Sequence, residues 1–310
     1  IETWLYRQYA QSFDEMKNLP RSLRQDLAQT FAATAVNPAE TVEARDGTRK
    51  YLLELQDGEK IETVLIPSRQ RTTVCISSQV GCPVRCAFCA SGRGGLTRDL
   101  IDAEIIDQVR FVCAVLGTRV DNVVVMGIGE PLLNLDNLIP ALHRLTAEEG
   151  TAIGARRITV STSGIVPGIR RLADERMQWN LALSLHAASE KARHKLIPDP
   201  HRYPLADIAD ACHYYREQTG RMITLEYTVL KGTNDGSADI RRLAQFAKDL
   251  RAKINIIPYN DTGTAHKRPD AGETTRLVQQ LTAMGARTTC RRERGSDILA
   301  ACGQLRQRQS

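Results

Sequence analysis

Three cysteines fall within eight positions, in the run Cys82–Pro83–Val84–Arg85–Cys86–Ala87–Phe88–Cys89, spaced C-x3-C-x2-C. Thiolates are soft donors that suit zinc or an iron–sulfur cluster. A structural zinc site takes four protein ligands, commonly from two knuckles, and no obvious fourth ligand stands with this run. Three ligands on a four-iron cluster would leave one iron open to a small molecule. Two further cysteines stand apart from the run: Cys75, seven residues before Cys82, and Cys302, near the C-terminal end. Cys113, Cys212 and Cys290 fall on an apolar helical face, in a helical run and in a strand-like segment, and read as packing thiols. Gly127–Ile128–Gly129–Glu130 pairs a backbone that a ligand can approach closely with a carboxylate that can accept from an ammonium group.

The elements that must hold these residues follow from periodicity. From Thr72 onward, short β-rich runs alternate with helical patterns. Strands are predicted at Thr72–Ser78, Asn122–Gly127, Arg157–Ser163, Asn180–His186, Met222–Leu230 and Lys253–Tyr259. Helices are predicted at Asp102–Leu116, Asn137–Glu148, Pro167–Asp174, Pro204–Glu217, Ser237–Asp249 and Gly272–Met284. Six alternations imply an α/β chain with a parallel sheet and crossover helices, either curled into a partial barrel or open and doubly wound. In both, the site belongs at the C-terminal ends of the strands. The cysteine run follows the first strand. Polar or glycine residues close several others, at Gly129–Glu130, Ser161–Gly164, Ser184–His186 and Tyr259–Asn260. Upstream, Leu5, Phe13, Met16, Leu19, Leu23, Leu27 and Phe31 suggest two short helices broken at Pro20, and Lys50–Leu55 and Lys60–Pro67 flank a hairpin turn at Asp57–Gly58. The expected division is an accessory unit over 1–67, a core over 68–285 and a C-terminal segment over 286–310.

The 310 residues carry a net charge of +6 and are 42% hydrophobic and 25% charged. These values describe an ordinary globular protein and exclude disorder, collagen and coiled coil as the main theme. No run approaches the ~18 apolar residues of a membrane span, so no membrane partner is expected. The first residues do not resemble a secretory signal, and the cysteine usage suggests a reducing, cytoplasmic setting. The chain opens on Ile1, not Met, so residues preceding it are expected. Basic residues cluster at Arg156–Arg157, Arg170–Arg171, Lys191/Arg193/Lys195 and Arg291–Arg292/Arg294. They read as a solvated face or as phosphate contacts.

C-x3-C-x2-C after the first strand of a partial (β/α)6 barrel, with Phe88 before the last cysteine, resembles the radical SAM superfamily. The ordered set Ser77–Cys82, Met126–Asn134, Ser161–Gly164, Ser184–His186 and Ala300–Leu305 narrows this. From about Phe13 to Leu305 the chain resembles the RlmN/Cfr radical SAM RNA adenine methyltransferases. Five motifs in order are far more specific than the cysteine run alone.

The resemblance implies a partial (β/α)6 radical SAM barrel with a small N-terminal helical and β-hairpin accessory domain and a C-terminal extension. It implies a [4Fe–4S] cluster on Cys82, Cys86 and Cys89. It implies two molecules of S-adenosylmethionine per turnover, bound by Gly129, Glu130, Ser161, Ser184, Leu185, His186 and Asn260. Cys302 matches the methyl carrier, which becomes S-methylcysteine, Cys75 the resolving thiol and Glu62 the proton acceptor. The implied reaction is methylation of C2 of an adenosine in 23S rRNA at the peptidyl transferase centre, with a tRNA anticodon-loop adenosine as a second target. C8 methylation of the same rRNA base is the alternative. Glu130–Pro131–Leu132–Leu133–Asn134 resembles the C2 branch more closely. An electron donor such as flavodoxin or ferredoxin is an implied partner. The different-class rivals are an RNA-binding protein with a structural cluster and a radical SAM enzyme with a protein or small-molecule substrate.

Overall fold

A computed structural model describes residues 1–198 and 202–305. The last five positions of the expected 286–310 segment lie outside the described residues. The chain begins with α1 (Glu2–Tyr6), a 3-10 turn at Phe13–Glu15 and α2 (Arg21–Thr30). The expected break falls at Pro20, which stands at the N-cap position of α2. The first predicted helix is shorter than its periodicity suggests. Tyr9 takes a left-handed φ of 56°, which ends it, and Ser12 with Glu15 restarts the chain as a capped 3-10 turn. Ala10, Phe13 and Met16 form a small core of their own, with Leu5, Leu19 and Leu27 against it.

Ten strands form one sheet in the order β1 (Val36–Glu43), β2 (Arg49–Leu55), β3 (Lys60–Pro67), β4 (Thr72–Ile76), β7 (Asn122–Val125), β8 (Ile158–Thr162), β9 (Asn180–Ser184), β10 (Thr224–Val229), β11 (Lys253–Pro258) and β12 (Arg287–Cys290). The links from β1 to β4 are antiparallel, and every later link is parallel. The predicted hairpin therefore continues the barrel sheet directly, with Val64 opposite Cys75. All six predicted parallel strands form, and β12 adds a seventh. A two-stranded ribbon, β5 (Gln79–Gly81) with β6 (Leu96–Asp99), brackets the cysteine loop.

The crossovers are α3 (Asp102–Leu116), α4 (Leu135–Thr146), α5 (Val166–Asp174), α6 (Glu190–Leu196), α7 (Leu205–Thr219), α8 (Ser237–Asp249) and α9 (Ala271–Ala283). Strand residues such as Val74, Val123, Val160, Leu183, Leu225 and Ile254 pack against helix residues such as Ile105, Val109, Leu142, Leu172 and Leu243 in one main core. Cys113 and Cys212 are fully buried there, as read from their patterns, while Cys290 is exposed. Several buried polar side chains in this region hold its turns in place. Tyr215 Oη donates to the Trp179 carbonyl at 2.9 Å. Asn234 donates to the carbonyls of His186 (2.7 Å) and Thr228 (2.8 Å) and accepts from Leu230 N–H, which fixes the turn after β9. Arg110 of α3 anchors the N-terminal unit. Its guanidinium is paired with Asp107 and donates to the carbonyls of Leu5 and Ala10, both at 2.9 Å. No helix of the described residues is long and apolar enough to cross a membrane.

Candidate active site

The cysteine loop is tightly determined by its backbone. Cys82 N–H donates to the Gly95 carbonyl at 2.8 Å and Cys89 N–H to Cys86 at 3.0 Å. Arg85 reverses the chain with φ 55°. Gly92 packs on that reversal, where a Cβ would stand 2.7 Å from Arg85 Cα. Cys82, Cys86 and Cys89 line one cavity at the C-terminal ends of the parallel strands. Burial pushes the Cys82 thiol up to about 12. Burial, then the neighbouring thiols, raise Cys86 well above its ordinary value, and burial raises Cys89 as well. Alone, the three stay protonated; positive iron beside them would reverse that preference. Among the described residues no three His, Cys, Asp or Glu side chains form a site for a single metal ion. A cubane instead presents a separate iron to each thiolate, so its ligands ring a cavity. The donor set and its placement fit such a cluster.

The opposite wall is built from strand ends. The turn after β7 lies directly on the one after β4. Gly127 N–H donates to the Ile76 carbonyl at 2.9 Å, and Ile128 N–H to Ser77 Oγ at 3.0 Å. Gly129 takes φ 115°, and a Cβ there would meet Ser78 Oγ at 2.6 Å and Gln79 N at 2.9 Å. Only glycine fits at that point. Glu130 is buried, with Oε2 accepting from Ser163 N–H at 2.7 Å and Oε1 from Leu132 N–H at 3.1 Å. Burial raises its carboxyl above the ordinary range, against the downward pull of those bonds. Ser161 and Ser184 share a hydrogen bond at 3.2 Å, and both face the cavity. His186, at φ 52°, accepts at Nδ1 from Thr228 N–H at 3.0 Å and meets Phe88 edge-on at 4.6 Å. Burial, with the charge of Arg193, lowers it to about 3, so the imidazole is neutral.

The C-terminal segment closes one side. Asn260 Nδ2 donates to the Cys302 carbonyl at 3.1 Å. The Gly303 carbonyl accepts from Ala90 N–H at 2.8 Å and the Leu305 carbonyl from Ser91 Oγ at 2.6 Å. Cys302 thus sits in the wall of the cysteine cavity. It also lines a second, smaller cavity, together with Cys75, Arg291, Arg292 and Arg294. Two thiols separated by 227 positions in the chain share one chamber. Burial, reinforced by Cys302, pushes the Cys75 thiol up to about 12.

Most of the predicted site residues meet here: Cys82, Cys86, Cys89, Gly129, Glu130, Ser161, Ser184, His186, Asn260 and Cys302 share one cavity, and Cys75 adjoins it. Two are placed differently. Leu185 packs in the main core and lines neither cavity; its N–H donates to the Glu226 carbonyl at 3.0 Å and its carbonyl accepts from Arg193. Glu62 lines neither cavity. It is buried in β3 and paired with Lys50 at 3.0 Å.

Three residues stand where the sequence reading did not place them, two of them from the basic clusters. Arg291 enters both cavity walls, and its guanidinium is raised by the neighbouring Cys302 and, against burial, by Glu226 and Cys75. Glu226 lines the larger cavity, accepts from Asn255 Nδ2 at 2.8 Å and is raised by burial. Arg193 is fully buried and donates to the carbonyls of Ser163 and Leu185. Of the basic clusters, Arg193 and Arg291 are therefore interior residues. Arg156 and Arg157 precede β8, at the end of the sheet away from the cavity, bound to Gln178 and Asp121. Arg291 had one usable signal: it directly follows a strand, where the other site residues also lie.

Residues 76–247 match the model of the radical SAM superfamily, and residues 1–33 match the ribosomal RNA large subunit methyltransferase N-terminal domain. The chain is 46% identical to a probable dual-specificity RNA methyltransferase RlmN of Thermosynechococcus vestitus, over all of this chain and 91% of that one. It is 44% identical to the dual-specificity RNA methyltransferase RlmN of Geobacter sulfurreducens, over 99% and 84%. The crystal structure of a radical SAM methyltransferase from Sphaerobacter thermophilus superposes with a TM-score of 0.94 at 45% identity, covering 98% of this chain and 90% of that one.

Proposed function

The chain belongs to the RlmN family of radical SAM RNA methyltransferases, and on that footing we propose that it methylates C2 of an adenosine in 23S rRNA. A tRNA anticodon-loop adenosine is its second substrate, in line with the dual specificity named for its relatives. The family's cofactors are a [4Fe–4S] cluster and S-adenosylmethionine, two molecules per turnover. When bound, they supply a transferable methyl group and a hydrogen-abstracting radical.

The observation that carries the reading is the position of Cys302, in the wall of the cysteine cavity and facing Cys75 across a second chamber. Cys82, Cys86 and Cys89 hold the cluster. Gly129, Glu130, Ser161, Ser184, His186 and Asn260 seat the methionyl and nucleoside parts, with Leu185 packed in the core between Ser184 and His186. Cys302 loses its proton and takes a methyl group. That methyl loses one hydrogen atom, and the resulting methylene carbon bonds to adenine C2. The adducted carbon gives up its proton, for which Glu62 of β3, outside both cavity walls, is the acceptor that the family resemblance implies, and one electron leaves to an acceptor of the iron–sulfur class. Cys75 thiolate then attacks Cys302 Sγ. The Sγ–methylene bond breaks, its electron pair stays on carbon and is protonated, and a Cys75–Cys302 disulfide remains. Two electrons from a flavodoxin- or ferredoxin-class donor reset the pair. Arg292 and Arg294, at the second chamber, meet the phosphates of a base drawn out of its stack. This chemistry belongs to the cytoplasm, where rRNA and reduced thiols coexist. Cys75→Ala tests the assignment: incubated with rRNA under anaerobic, reducing conditions, it should retain RNA covalently at Cys302. Released methylated RNA without an adduct would remove Cys75 from its role.

A further inference from the structure

Glu62 and Cys302 come from opposite ends of the chain, and one side chain touches the surroundings of both. Lys50 Nζ stands 3.0 Å from Glu62 Oε1, with the two side chains 6% and 1% exposed. The same Nζ donates to the Leu299 carbonyl at 3.2 Å. Leu299 lies three residues before Cys302 and is held at φ 54°, a left-handed conformation unusual for leucine. Around it the carrier segment is seated on the β1–β2 hairpin. Arg45 N–H donates to Asp297, Gly295 N–H donates to Asp46, and Arg294 pairs with Asp46. A Cβ at Gly295 would press to 2.8 Å on Thr48 Cγ2. The far end of the segment rests on the cysteine loop through Ala90 and Ser91.

We propose that Lys50 is a positioning residue for proton removal from the RNA adduct, tying the Glu62 carboxylate and the Cys302 segment into one register. The inference rests on the reading of Glu62 as proton acceptor and Cys302 as carrier. A buried carboxylate is favoured by a paired, hydrogen-bonded cation, and Lys50 is placed to be that partner. The ammonium supplies that charge with one N–H and spends another on the backbone that carries Cys302. The carrier segment and the acceptor strand thereby share one anchor, so displacement of the segment pulls on the ion pair. Lys50 touches neither cavity wall, and S-methylation of Cys302, which involves no proton transfer to Glu62, is independent of it.

The test compares Lys50→Met, Lys50→Arg, Glu62→Gln and the Lys50→Met/Glu62→Gln double variant, each reconstituted with cluster. Two readouts are taken: Cys302 S-methylation without RNA, by intact mass, and turnover and covalent adduct with an rRNA fragment. The expected result for Lys50→Met is S-methylation within about twofold of the parent, RNA turnover down about a hundredfold, and accumulated adduct. Lys50→Arg restores most of the turnover. The double variant, in which no buried charge is left unpaired, is no slower than Glu62→Gln alone. Parental turnover in Lys50→Met with an impaired Glu62→Gln would overturn the proposal and leave the Glu62 reading standing. Parental turnover in Glu62→Gln would remove both. S-methylation lost in parallel with turnover, or a further tenfold loss in the double variant, would make Lys50 a general structural residue and overturn the proposal.

Discussion

Resolution of the protein–RNA adduct should be steeply pH-dependent, because the nucleophile for that step is held as a thiol. Burial is the main cause that pushes Cys75 up to about 12, Arg291 offsets only part of it, and burial persists when Cys302 is alkylated in the adduct. Only the thiolate attacks sulfur. Near pH 7.5 only a small minority of Cys75 is then thiolate, and that scarcity slows the step. Each added pH unit multiplies the reactive fraction about tenfold, so resolution should quicken about a hundredfold over two units. The assay accumulates adduct in a single anaerobic turnover at about pH 6, where resolution is slow. The sample is jumped to higher pH, and RNA release is followed on denaturing gels. The logarithm of the release rate should rise with unit slope and show no plateau below about pH 9. Arg291→Met, which removes the nearby cation, should slow release at every pH. A flat profile, or an identical rise in Cys75→Ala, would refute the assignment of a buried Cys75 thiol to this step.

Three other outcomes follow from the geometry. Cys302→Ala should carry no methyl group on the protein and deliver none to RNA, while Cys82, Cys86 and Cys89 still bind iron; methyl transfer at the parental rate would contradict the carrier role. Gly129→Ala forces a Cβ into Ser78 and Gln79 at φ 115°, so S-adenosylmethionine affinity should fall and Tm drop by an amount reflecting a cost of about 1–3 kcal/mol; calorimetry and thermal melts check both. Arg110→Met leaves Asp107 unpaired and the carbonyls of Leu5 and Ala10 without their donor, a loss of about 3–5 kcal/mol that limited proteolysis should register as cleavage near residues 1–35.

The parallel strands were legible because their apolar runs are short and punctuated, and the cysteine run lay where a strand-end site is expected. Asp102–Leu116 and Ser237–Asp249 were predicted to the residue. β1 was not predicted. Its Val36–Glu43 run contains Pro38, Glu40 and Glu43, only Val36 is buried, and a bulge interrupts its pairing. It is an edge strand whose residues need not alternate. α6 is seven polar-rich residues long, too short for periodicity to show, and its Arg193 is buried where charge alone suggests a surface. At the site, residue identity located the thiols and strand-end polar groups. It did not reveal that Glu62 stands behind Lys50, which depends on the register of the β2–β3 hairpin, or that Arg291 faces inward, which depends on how the C-terminal segment folds over strands far away in sequence.

The most direct test of the central claim is mass spectrometry of adenosines from rRNA after anaerobic incubation with reconstituted protein, reductant and methyl-deuterated S-adenosylmethionine. 2-Methyladenosine bearing deuterium in its methyl group is the predicted product. 8-Methyladenosine would keep the carrier chemistry and contradict the C2 assignment. Unmodified rRNA alongside demonstrated S-adenosylmethionine cleavage would contradict the proposed substrate.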